Sequence, residues 1–180
     1  MQSAMRTLFG LLDHVNRAVY YTLGLLLAVI SFVVLLQVLV RFVLTAVGVN
    51  IAVPWTEELA RYLLVWMILL GAGVGCRRMQ LIALTFVITW LPSWLGSAAR
   101  LLALGLSLWL FGILLIYGYQ FVQVIGRTEL SPVLQISKNW VYWAMPVGAA
   151  LMIVNTLAFI AEALMPGGDI RATSSLGATE

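Results

Sequence analysis

The sequence predicts an all-α polytopic membrane protein with four transmembrane helices, and three observations carry that prediction. Of its 180 residues 63% are hydrophobic and 9% charged, whereas a soluble domain carries about a quarter charged residues. Mean hydropathy is +1.04. The few charges are spaced so that long uncharged intervals lie between them. Ala18–Val40 holds 23 residues, Leu101–Gly126 holds 26 and Asn139–Ala161 holds 23. At about 1.5 Å per helical residue, each interval can cross a hydrocarbon core of roughly 30 Å.

The spans are placed at about 18–42, 56–77, 100–126 and 139–163 within one membrane domain, 1–165. The second is the least simple. Tyr62–Cys76 contains only 15 uncharged residues, too short for a full crossing, so the helix is extended back to Thr56 as its N-cap. Glu57 and Glu58 then fall in the first turn, where acidic residues suit the helix dipole. Residues 79–99 are apolar but contain Pro92 and Gly96, with Thr85, Thr89 and Ser93 as one weakly polar stripe and Trp90 and Trp94 as interface-favouring residues. These features favour an in-plane helix at about 80–95 over a fifth crossing. From Pro166 the composition turns to Gly, Ser, Thr and Asp, a disordered cytoplasmic tail over 166–180. The first 17 residues read as an amphipathic lead-in without a signal-peptide cleavage pattern.

Four spans put Arg6, Arg17, Arg77, Arg78, Arg100 and Arg171 on one side of the membrane. Arg41, Arg61, Arg127 and Lys138 fall on the other. The excess, strengthened by the adjacent Arg77–Arg78, sets both termini in the cytoplasm. A net charge of +3, dispersed along the chain, excludes nucleic-acid binding. One cysteine excludes an internal disulfide, and one histidine, His14, excludes bis-His haem ligation within the chain. No span centre holds an ionisable residue, so a proton relay or voltage sensor has no parts here. Neither a cofactor nor a catalytic group is expected.

The charged cluster is Trp55-Thr56-Glu57-Glu58-Leu59-Ala60-Arg61. Glu57 and Arg61 stand four apart with the acid first, the favourable order for a helical ion pair. Glu58 faces elsewhere, toward Arg41 at the end of the first span or toward a partner protein. A hydrated interfacial rim accounts for the cluster; a helix-packing lock is the sharper reading. Tyr117, Gln120, Val124 and Arg127 share a face of the third span, with Gln123 beside it, and Gln37 and Asn155 lie in the first and fourth spans. Uncharged polar residues inside a bilayer usually hydrogen-bond to another helix. Gly71 and Gly75 form a small-xxx-small step for close helix approach. Pro146 either kinks the fourth span or falls in its first turn. Cys76 reads as a small buried residue, and Trp55, Trp90, Trp94, Trp140 and Trp143 as an aromatic belt.

Two stretches carry a family resemblance. Trp55-Thr56-Glu57-Glu58-Leu59-Ala60-Arg61-Tyr62-Leu63-Leu64-Val65-Trp66, followed by Gly71 and Arg77-Arg78, resembles the small membrane subunit of tripartite ATP-independent periplasmic (TRAP) transporters, the DctQ type. Thr128-Glu129-Leu130-Ser131-Pro132, then Asn139-Trp140-Val141-Tyr142-Trp143-Ala144-Met145-Pro146-Val147-Gly148, is similar to that family's approach to its last span. The resemblance covers about Val15 to Leu164. It departs from the family after the arginine pair, where Leu81 and Thr85 stand in place of a His and an Asp, so no polar role is carried over there.

The resemblance implies a non-enzymatic, four-span scaffold with an in-plane helix in a bacterial or archaeal cytoplasmic membrane. It would pack against a large membrane subunit that carries the transport path. A periplasmic substrate-binding protein would deliver an organic anion, a carboxylate or sialic-acid-like molecule, and sodium would drive uptake. Trp55, Glu57, Glu58, Arg61 and Arg41 would organise the periplasmic end and contact the partner. Arg77 and Arg78 would set topology and meet anionic membrane lipid, and Arg127, Glu129 and Lys138 would dock the binding protein. The alternatives are a self-contained homo-oligomeric carrier or channel, and a quinone-linked or haem membrane anchor. The position of His14 outside the charge-free spans argues against a haem anchor.

Overall fold

The computed structural model of the chain describes residues 2–44, 46, 48, 53–78, 93–125 and 129–163. Within them lie α1 (Gln2–Leu39), continued by a π-helical turn (Val40–Leu44), then α2 (Pro54–Arg78), α3 (Ser93–Val124), the short α4 (Asn139–Tyr142) and α5 (Ala144–Ala163). Four stretches are long and apolar enough to cross a membrane: Phe9–Val43, Pro54–Arg77, Leu101–Val124 and Asn139–Ala161. The fold is the all-α polytopic one. The in-plane helix expected at 80–95 falls almost wholly on 79–92, outside the described residues; its last residues, from Ser93, belong to the first turn of α3. The tail expected at 166–180 lies outside them too.

Large side chains point outward, as a hydrocarbon solvent allows. Leu25, Phe32, Leu102, Leu106 and Trp109 are all exposed, an arrangement that in water would be a large sticky patch. The buried positions are mostly small: Ala144, Ala149 and Ala158, with Val33, Val74, Val122 and Val141. Lipid tails are as apolar as leucine, so membrane helices associate by close packing and hydrogen bonds rather than by escaping water. Helix α5 is the core element. It packs against α2 and α3, and α1 packs against α2.

Glycines set the closest approaches, though not the pair that spacing suggests. A Cβ at Gly148 would lie 2.7 Å from Leu69 Cβ and 3.1 Å from Leu69 O. At Gly73 it would lie 2.6 Å from Leu151 Cδ2. By contrast, Gly71 has only ordinary contact with Leu23 at 3.9 Å, and Gly75 faces open space. The α2–α5 contact therefore runs through Gly73 and Gly148, and the Gly71/Gly75 step is not the crossing point. Pro146 is the third residue of α5, and its ring nitrogen cannot donate to the carbonyl of Tyr142. The helical hydrogen-bond ladder loosens at Trp143, between α4 and α5, but Trp143 keeps helical φ and ψ of −60° and −22° and Asn139–Ala161 remains one apolar span, so Pro146 falls in the first turn of α5.

One buried polar node ties three helices together. Asn155 Nδ2 donates to Asn16 Oδ1 at 2.8 Å and to Gly73 O at 2.8 Å. Asn16 Nδ2 returns a bond to Asn155 Oδ1 at 2.7 Å and donates to Leu12 O at 3.0 Å. The interhelical bond expected of Asn155 is present. Its partner, Asn16, precedes the first charge-free interval and belongs to α1 only because that helix runs through Arg17.

Two stability predictions follow from these contacts. Gly148→Ala should destabilise the bundle by about 1–3 kcal/mol, because the added methyl meets helix backbone, whereas Gly75→Ala should not lower stability. Asn155→Ala should cost about 1–2 kcal/mol, with Asn16→Ala adding less in the double variant than alone. Thermal unfolding in detergent reads both.

Candidate functional site

The site is built at the N-terminal end of α2. Pro54 opens the helix, where its missing N–H is not needed and its fixed φ is already helical. Thr56 is buried, with its N–H bonded to Val53 O at 3.2 Å and its hydroxyl donating to the same carbonyl at 2.6 Å. A capping hydroxyl accepts from a backbone N–H; this one donates, so Thr56 lies inside the first turn rather than at the cap. Glu57 and Arg61 pair at 3.2 Å with side chains 64% and 68% exposed. Water screens such a pair and leaves it worth little, which is the hydrated-rim reading.

Glu58, one residue on, turns about 100° around the helix and meets the 129–138 segment. That segment folds back on itself through a bridge between Leu130 and Ser137. Ser131 N donates to Ile136 O at 2.8 Å and Lys138 N to Glu129 O at 3.2 Å. Pro132 stiffens the turn, and Gln135 completes it at φ 54° with its amide on Pro132 O at 3.0 Å. The turn leaves the N–H groups of Val133 and Leu134 pointing outward together. Both donate to Glu58 Oε2, at 3.1 and 3.0 Å. The Ser131 hydroxyl and the Tyr62 hydroxyl, the latter at 2.5 Å, both donate to Oε1. One carboxylate thus holds four donors, and bonds to an ionised acceptor are the strong kind.

This overturns the pairing of Glu58 with Arg41. Arg41 sits in the exposed π-helical turn and makes no ion pair among the described residues. Of the residues around Glu58, Tyr62 was legible as an i, i+4 neighbour. Ser131, Val133 and Leu134 were not, since two of them contribute only backbone. Trp55 is 41% exposed, as a belt residue would be, and Trp66 Nε1 donates to Trp140 O at 3.1 Å, joining α2 to α4.

Glu129 and Lys138 close the base of the hairpin at 2.8 Å, with the Tyr142 hydroxyl 3.5 Å from Glu129. The Lys138 ammonium holds the Glu129 carboxyl below its ordinary value, and Glu129 in turn holds Lys138 above its own. Both docking candidates are therefore engaged with each other. Arg127 lies outside the described residues. At the opposite end of the bundle, Asp13 accepts from Arg77 Nε and Nη2 at 3.2 and 3.1 Å. The Arg77 side chain is only 12% exposed and lies over Phe9 at 5.9 Å. Arg77 thus joins α1 to α2 rather than reaching out to lipid; the Arg78 side chain lies outside the described residues. Cys76 is half-buried, and the Thr156 hydroxyl donates to Met152 O at 2.8 Å. Between α3 and α5 runs an apolar groove of about 610 Å³, lined by Ile116, Tyr119, Gln120, Trp143 and Pro146.

Glu58→Ala should release the hairpin, read as faster proteolysis within 129–138, while Arg61→Ala should leave the cleavage rate unchanged. The Glu129–Lys138 pair should stabilise the hairpin fully between the ordinary carboxylate and lysine ranges. Its contribution falls as pH drops through the lowered Glu129 value or rises through the elevated Lys138 value. An NMR titration of the Glu129 carboxyl should show its midpoint below that of a free glutamate, and Lys138→Ala should return it to the ordinary range.

Residues 30–165 match the DctQ component of tripartite ATP-independent periplasmic transporters. The sialic acid TRAP transporter small permease protein SiaQ of Vibrio cholerae is 35% identical over 107 residues, 57% of this chain and 59% of that protein. A protein assigned as a TRAP transporter small permease in Haemophilus influenzae is 24% identical over 158 residues, 84% of this chain and 94% of its own length. An uncharacterised protein of Sinorhizobium fredii is 31% identical over 144 residues, 78% of this chain but 25% of that longer protein. With its four apolar helices and the matched segment running from within α1 to the end of α5, the chain belongs to the DctQ family of TRAP transporter small membrane subunits.

Proposed function

We propose that this chain is the non-catalytic scaffold subunit of a sodium-coupled importer of an organic anion, working beside a large membrane subunit and a periplasmic substrate-binding protein. Ion-coupled uptake usually draws on ionisable groups inside the membrane. Here the centres of all four spans, including Tyr62–Cys76 of α2, are free of charge. That observation carries the reading: the transport path belongs to another polypeptide, and this one braces it. A carboxylate or sialic-acid-like substrate is the class suggested by the name of the Vibrio relative.

The setting is a bacterial cytoplasmic membrane with both termini inside, as the excess of arginine beside Arg77 and Arg78 favours. The hairpin end, with Trp55, Glu57, Glu58 and Arg61, then faces the periplasm. Arg127, Glu129 and Lys138 are the charges nearest a binding protein arriving there. An in-plane helix over 80–95 would lie at the cytoplasmic surface, and residues 166–180 would form a cytoplasmic tail. The exposed apolar faces of α1 and α3 leave ample area for the large subunit.

Vesicles containing only this purified chain should accumulate no labelled sialic acid or dicarboxylate under an inward sodium gradient, beyond protein-free vesicles. Accumulation would assign the path to this chain and favour the homo-oligomeric carrier. In cells that also express the large subunit, Glu58→Ala should lower co-purification several-fold while Arg171→Ala leaves it unchanged; equal recovery of both variants would remove the hairpin from the brace.

A further inference from the structure

The outer surface of the hairpin is the feature that scaffolding alone does not explain. From Leu130 to Ser137 it carries no charged residue, and its large side chains face outward: Leu130 is 59% exposed, Val133 43% and Ile136 43%. Trp140, just beyond, is 74% exposed. A loop bathed in water has no need of such a surface.

Its depth can be measured along α2. Arg77, paired with Asp13, marks one end of the bundle, and Glu58 stands 19 residues away (77 − 58). At about 1.5 Å per residue that is about 29 Å, close to the roughly 30 Å of a hydrocarbon core. The hairpin gathered around Glu58 therefore lies level with the opposite membrane boundary. Trp140 lies deeper, because its carbonyl accepts from the indole of Trp66, eight residues further along α2 (66 − 58).

The backbone is prepared for that depth. Ser131, Gln135 and Lys138 donate their N–H groups within the hairpin, and Val133 and Leu134 donate theirs to Glu58. Backbone that leaves water must find its partners inside the protein. Glu58 itself is wrapped by four donors, and Glu129 is neutralised by Lys138. Neither carboxylate opposes contact with lipid.

We propose that residues 130–137 form a membrane wedge, with Leu130, Val133 and Ile136 seated in the headgroup–acyl boundary of the leaflet at the hairpin end. This rests on the membrane-spanning fold and not on the transport reading, so the two can fail separately. Aliphatic side chains beside an aromatic belt favour that zone, and the wedge would hold the α3–α4 connection against the bilayer.

The test uses the full chain with Cys76→Ser, reconstituted in phosphatidylcholine vesicles. Single nitroxide labels are attached at Leu130→Cys, Val133→Cys or Ile136→Cys, with Leu106→Cys as the lipid-facing reference. At all three hairpin sites the ratio of collisions with oxygen to collisions with a water-soluble nickel chelate should exceed one, as at Leu106. The ratios should persist when the large subunit is reconstituted alongside. Ratios below one would place the hairpin in water and overturn the proposal. Loss of both collision rates on adding the large subunit would overturn it too, by assigning the surface to a protein partner.

Discussion

The bundle depends on how a carboxylate at a membrane boundary is satisfied. An ionised group leaving bulk water must have its lone pairs occupied or lose its charge. Glu58 meets that demand with two hydroxyls and two backbone amides, and three of those donors come from one hairpin. The hairpin is therefore held against α2, and with it the start of the last span. From that starting position α5 runs along α2, with Gly148 against Leu69 and Gly73 against the Leu151 side chain, neither leaving room for a Cβ. Asn155 then arrives where Asn16 and the Gly73 carbonyl can receive it.

The two ends of the structure are tied differently. At the hairpin end the fastening is a network that mixes side chains with backbone. At the other it is an ion pair, Asp13 with Arg77, reinforced by the face of Phe9. Between them the helices rely on small residues and on the amide node, because packing and hydrogen bonding are what remain when solvent is as apolar as the side chains. A bundle so fastened, with span centres that offer no charge to a solute, is suited to supporting a partner rather than to moving a substrate.

Several particulars were legible from residue order. The i, i+4 spacing of Glu57 and Arg61 specified their pair, because a single helix fixes that geometry. Pro146 announced a disturbance in the last span for the same local reason. Other particulars were not legible. Spacing offered the Gly71/Gly75 step in α2, and only the crossing of α5 selects Gly73, which lies between them. Asn16 lay hidden before Arg17, since a search for charge-free intervals stops where a long arginine side chain can reach the interface from within a helix. Thr56 looked like a cap because composition marks a helix start only to within a turn.

By itself the sequence determined the fold class, the four spans and the membership of the chain in its family. Hydrocarbon selects on length and composition, and both are written in residue types. The tertiary structure decided which polar groups meet. Two of the four donors that hold Glu58 are main-chain amides more than seventy positions away. Every residue except proline carries that same amide, so only the folded path of the chain can say which of them turn toward the acid.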